Sequence, residues 1–148
     1  MGRYWNTYAN GFEGKFGFGV QSSADPEIFG MSEDTSKIYY VADNDALEQC
    51  EKTLTEQYEL LKVPKEDRRW EVANEQELGE IHGKYFDYAF EECGMGEGEW
   101  GGIEDDGEAH YYRERFEGAA LALYRISLGL AIYSELKFEG WCELEAEC

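Results

Sequence analysis

Two histidines, His82 and His110, and the thiol of Cys93 are the side chains in this 148-residue chain best suited to metal binding or nucleophilic chemistry. A transition-metal site or a Cys–His nucleophile built from them would need tertiary convergence, because no local spacing joins them. Neither histidine has Asp or Glu three residues before it, so the carboxylate–histidine pairing of di-iron bundles is absent, as is HExxH. Asp43-Asn44-Asp45 and Glu104-Asp105-Asp106 offer oxygen ligands that suit calcium or magnesium. The first group lacks the glycine and distal glutamate of an EF-hand loop, and helix capping already accounts for Asp43 and Asn44. Gly14, Gly17 and Gly19 resemble a phosphate loop only superficially, since no Gly-Lys-Ser/Thr follows and they lie in a strand pattern. Gly17 and Gly19, opposite the aromatic face, would let a backbone or flat side chain approach. No catalytic residue, resident metal or cofactor is expected.

Charge carries more information. The chain holds 33 Asp and Glu against 13 Lys and Arg, a formal charge of -20. From Tyr85 to Tyr112 there are nine acidic residues and no Lys or Arg, with Trp100 and Ile103 inside the run. Carboxylates around an apolar anchor are what a groove lined with Arg and Lys would bind, charge steering the encounter and the aromatic supplying a hot spot. The candidate partner-binding residues are therefore Glu91, Glu92, Glu97, Glu99, Trp100, Glu104, Asp105, Asp106 and Glu108, together with Glu143, Glu145 and Glu147 near the C-terminus. In the sharp form of this reading the carboxylates stand in for nucleic-acid phosphates; in the bland form they only solvate a loop. Direct nucleic-acid binding is disfavoured, because the basic clusters at 65–69 and 113–115 are diluted by acids.

The elements that must hold these residues follow from composition and periodicity. A 43% apolar share with four Trp, eleven Tyr and eight Phe separates the chain from disordered acidic tails. Its length suits one domain, residues 1–148, able to bury roughly 70% of its unfolded surface. The start lacks a secretory h-region, and the apolar stretch 119–133 is interrupted by Arg125, so neither a signal peptide nor a membrane span is expected. Without a secretory signal, Cys50, Cys93, Cys142 and Cys148 read as free thiols.

Alternation in Phe12, Gly14, Phe16, Phe18 and Val20, with the turn pair Asn10-Gly11, predicts a hairpin over residues 3–9 and 12–21. Residues 30–36 read as a loop, and Lys37 to Val41 as a third strand. Leu47, Cys50, Leu54, Tyr58 and Leu61 form a helical stripe that starts near Asp43 or Asn44 and ends before Pro64. A second helix is predicted over 74–93, with Asn74 and Glu77 at capping-box spacing and Leu78, Ile81, Tyr85, Tyr88 and Ala89 inward. An acidic, Gly-rich loop spans 94–107, and a third helix, apolar almost all round, runs from Glu108 to about Leu136. The tail alternates Cys142, Leu144 and Ala146 inward with Glu143, Glu145 and Glu147 outward, which fits a final edge strand. The expected class is α+β: a small, mostly antiparallel sheet packed on three helices.

Met1-Gly2-Arg3-Tyr4, then Glu13-Gly14-Lys15-Phe16-Gly17-Phe18-Gly19-Val20-Gln21, resembles the opening of a functionally unassigned family of small acidic proteins of phages and large DNA viruses. The long apolar helix before a short Cys-containing acidic strand is also similar, so the resemblance covers about a third of the chain. It implies a viral or mobile-element source and a place in the cytoplasm of an infected host cell, and it lends no catalytic residue. The expected function is that of an acidic interaction protein, not an enzyme, binding a basic host or viral protein and inhibiting a host defence protein with a basic groove. The alternatives are a small metal-dependent enzyme around His82 and His110, or a virion or assembly component that packs against basic proteins. The oligomeric state is left open.

Overall fold

The computed structural model describes residues 4–15, 25–33, 39–93 and 106–147, and within them the side chains at 15, 25, 90–93, 106–118, 120 and 146–147 lie outside the description. In chain order the elements are β1 (Tyr4–Thr7), β2 (Glu13–Lys15), α1 (Asp25–Ile28), β3 (Ser32–Glu33), β4 (Tyr39–Asp43), α2 (Leu47–Leu60), α3 (Glu75–Cys93), α4 (Asp106–Glu139) and β5 (Trp141–Glu147). The class is α+β, as expected: one antiparallel five-stranded sheet, ordered β2-β1-β5-β4-β3, backed by helices.

The tail strand corrects the expectation of an edge. β5 lies at the centre of the sheet, paired with β1 from Tyr4↔Glu147 to Thr7↔Leu144 and with β4 from Tyr39↔Glu145 to Asp43↔Trp141. Alternating glutamates suit edge protection, but an edge is a row of unpaired backbone groups. Side chains of a strand point perpendicular to that row. The glutamates mark the open face of the sheet, and only pairing decides whether a strand is central.

The hairpin turns as its Asn-Gly pair predicts. Gly11 adopts φ +68°, Thr7 N–H donates to the Phe12 carbonyl at 2.8 Å, and Phe12 N–H donates to Thr7 Oγ1 at 3.0 Å. Its arms are described over Tyr4–Thr7 and Glu13–Lys15; Phe16, Gly17, Phe18, Gly19 and Val20 lie outside the described residues. Within the predicted loop at 30–36, Ser32 and Glu33 make a two-residue pairing with Val41 and Tyr40. The third strand is described over Tyr39–Asp43 and runs two residues past the predicted end at Val41; Lys37 and Ile38 lie outside the described residues. Asp43 then caps a 3-10 turn, Asn44–Ala46, by accepting from Asp45 N–H at 3.0 Å. In α2, Cys50, Leu54 and Tyr58 are buried along the expected stripe. The helix closes at Lys62 (φ +56°), where Val63 N–H donates to the Tyr58 carbonyl at 3.0 Å ahead of Pro64. Asn74 caps α3, its Oδ1 accepting from Glu77 N–H at 2.9 Å.

α4 is the axis of the molecule and packs against α2, α3 and β5. Leu123, Ile126, Leu128, Leu130, Ala131 and Ile132 are all buried, which is why its apolar residues run round the whole circumference. Gly129 lets α2 approach: a Cβ there would stand 2.5 Å from Phe29 Cε1 and 2.6 Å from Leu54 Cδ2. Between α2 and α3 the charged connector is tied down by two buried tyrosines. Tyr58 hydroxyl donates to the Arg69 carbonyl, and Tyr85 hydroxyl, which accepts from Arg69 N–H at 3.0 Å, donates to the Asp67 carbonyl. Among the described residues, no helix is long and apolar enough to cross a membrane.

Candidate protein interface on the open sheet face

Strand alternation sorts the sheet into two faces. Trp5, Tyr40, Cys142 and Leu144 point inward and are buried in the common core. On the opposite parity stand Tyr4, Asn6 and Tyr8 from β1 and the turn after it, Trp141, Glu143 and Glu145 from β5, and Tyr39, Val41 and Asp43 from β4. The register makes these neighbours: Asn6, Glu145 and Tyr39 form one row, Glu143 faces Val41, and Trp141 faces Asp43. Tyr4 (51%), Tyr8 (48%), Trp141 (40%) and Val41 (37%) are exposed, so four of the six large hydrophobic residues exposed among those described share this face. Scattered surface apolar residues are ordinary, whereas a contiguous aromatic face marks an interaction surface.

Across the three strands β1, β5 and β4 the charge on the face is of one sign: their positions on it include Asp43, Glu143 and Glu145 and no Lys or Arg. Lys15 of the flanking strand β2, paired with Tyr4, shares this parity, its side chain outside the description. Tyr8 reaches across β5 towards β4: its hydroxyl donates to Glu145 Oε2 at 3.3 Å, and its ring stacks on Tyr39 with centroids 6.4 Å apart at 23°. Desolvation, a hydrogen bond with Tyr39 and the charge of Glu145 push the Tyr8 hydroxyl up to about 12, so it remains a neutral donor. The two rings thus bracket a carboxylate on the central strand. At the β3–β4 side, Val41, Asp43 and Asp45 line a groove of about 510 Å³. Flat aromatic faces interleaved with carboxylates suit guanidinium and ammonium groups, which gain from charge and from the ring quadrupole together.

Of the partner-binding residues predicted from sequence, Glu143 and Glu145 are on this face, and Glu147 pairs with Tyr4 on the same strand, its side chain outside the description. Glu91 and Glu92 fall in the last turn of α3, and Asp106 and Glu108 in the first turn of α4, with their side chains also outside it. Glu97, Glu99, Trp100, Glu104 and Asp105 lie outside the described residues. His82 and Cys93 do not converge: both sit on the unbroken α3, and eleven residues of helix separate them by about 16 Å along its axis. His82 instead meets Ser127, its Nδ1 2.7 Å from Oγ. Asp43 acts as a cap, and no group of His, Cys, Asp or Glu among the described residues is arranged to hold a metal ion. Sequence patterning does not single out Tyr8, Tyr39, Val41 and Trp141 as site residues; the signal is aromatic and β-branched content on both parities of short strands, which is legible only once the buried parity is known.

No family model matches the chain, and neither a curated protein nor a solved structure is significantly similar to it.

Proposed function

We propose that this protein is an acidic interaction protein that docks a basic protein partner on the open face of its sheet. Glu143, Glu145 and Asp43 would neutralise Arg or Lys side chains of the partner, and Tyr8, Tyr39 and Trp141 would supply the desolvated anchors. One observation carries the reading: exposed aromatics and carboxylates alternate on a single hydrogen-bonded sheet face whose strands β1, β5 and β4 carry no basic residue. A purely solubilising charge would not need large aromatic rings between the carboxylates. The acidic run at 91–108 would extend the attraction, and a host defence protein with a basic groove would be a fitting partner, the carboxylates mimicking phosphates.

The test compares two charge-matched variants. Trp141→Ala with Glu143→Gln and Glu145→Gln removes the face; Glu48→Gln with Glu56→Gln removes the same charge from exposed positions of α2. Binding to a folded Arg-rich protein is measured by titration calorimetry at low and moderate salt. The face variant should lose at least about tenfold in affinity, equivalent to 1.4 kcal/mol, and the α2 variant less than about twofold. Equal losses would reduce the attraction to net charge and remove the interface.

A further inference from the structure

A second site lies apart from the open face, between β2, the start of α3 and the middle of α4. Glu13, Gly14, Glu75, Leu78, Gly79, His82, Tyr124 and Ser127 enclose a cavity of about 310 Å³, within the lower range for small-ligand pockets. At its mouth Glu75 accepts from the Glu13 backbone N–H at 2.8 Å. On its wall the His82 ring contacts the Tyr124 ring, centroids 5.0 Å apart, and is joined to Ser127. Burial holds the His82 pKa below its ordinary value, so the imidazole adds no charge near neutral pH. Among the described residues, no Lys or Arg lines the cavity.

We infer that this cavity binds a small organic cation, an alkylammonium or alkylguanidinium, with the charged group between Glu13 and Glu75 and the alkyl part against Leu78 and Tyr124. The lining selects against other ligands. Anions meet two carboxylates. The half positive charge at the start of α3 is too small to offset both. A metal ion needs three or more converging ligands, and no such group exists among the described residues. Acyl transfer by Ser127 and His82 would need oxyanion donors, yet the backbone N–H of Glu13 at the mouth is taken by Glu75. A cation, by contrast, would favour the charged form of Glu75, whose pKa partial burial and the neighbouring Glu13 charge raise, although the Glu13 N–H opposes the shift. The aromatic wall adds a ring face to the two carboxylates.

The chain has only two histidines, so the imidazole signals in a nitrogen-15 correlation spectrum of the full-length protein report the site directly. n-Butylammonium chloride is titrated against 1-butanol, which has the same chain and no charge, at constant ionic strength. Butylammonium should shift one imidazole saturably and 1-butanol should not. Glu75→Gln keeps an acceptor for the Glu13 N–H while removing the charge, and it should weaken butylammonium at least about fivefold, as should Glu13→Gln if the first variant folds poorly by circular dichroism. Absence of a saturable shift, an equal response to 1-butanol, or unchanged affinity in the folded variants would each overturn the assignment.

Discussion

Asn10, in the turn between β1 and β2, donates its side-chain amide to Oε2 of Glu135, a carboxylate of α4 that is completely buried. The same carboxylate takes hydrogen bonds from the Ala9 backbone and the Thr7 hydroxyl, while its Oε1 finds no partner among the described residues. One acid therefore staples the first hairpin to the central helix, and it does so with half its acceptors unmet. A buried charge in this position is compensated only in part.

Burial, the largest effect, raises the Glu135 pKa above its ordinary value of 4.5, and the three hydrogen bonds oppose the rise. The folded state thus holds this proton more tightly than the unfolded chain. Stability from this group is fully present below the unfolded value of 4.5 and is lost as the pH climbs through the raised folded-state pKa. Glu135→Gln should therefore be more stable than the native chain at pH 7, by about 1 kcal/mol. The gap should close as the pH falls towards 4.5. Urea unfolding of both proteins from pH 4.5 to 7.5 checks this, and a variant weaker than the native chain at pH 7 would refute it.

Gly129 and Gly83 are both interior to helices and should respond in opposite senses to alanine. Added carbon at Gly129 strikes Phe29 and Leu54, so Gly129→Ala should destabilise by about 1–3 kcal/mol despite its better helix propensity. A Cβ at Gly83 meets nothing within 4 Å among the described residues, and Gly83→Ala should stabilise by about 0.5–1 kcal/mol. Thermal unfolding of the pair provides the comparison.

Cys50 and Cys142 are buried, and desolvation pushes both thiols well above the ordinary value. The thiolate is the reacting species, so both should stay unmodified by iodoacetamide in the native protein and react on unfolding. Peptide mapping after timed labelling reads each position separately. Rapid native labelling of either would mean that the core opens at these positions.

A formal charge of -20 repels itself most strongly in the compact state. Raising sodium chloride from about 10 to 150 mM shortens the screening length from roughly 30 to 8 Å and should raise the melting temperature. Calorimetry at fixed pH measures it; a flat or falling response would show that long-range repulsion is not a significant term.

Local features of the sequence determined most of the elements, because their physics is local. Asn10-Gly11 specifies its turn, Asp43 and Asn74 cap helices through side chains that reach two or three residues onward, and Pro64 stops α2 within its own backbone. The all-round apolar content of α4 foretold a central helix for the same reason: burial on every side leaves no polar stripe. What only the tertiary structure decided depends on residues far apart in the chain. β5 became a central strand because β1, more than 130 residues earlier, pairs along its other side. Glu143 and Glu145 acquired aromatic neighbours by cross-strand register, and His82 met Ser127 across two helices. Alternation along one strand states which side chains share a face but not which strands lie beside it, since pairing is set by backbone hydrogen bonds that every residue can make.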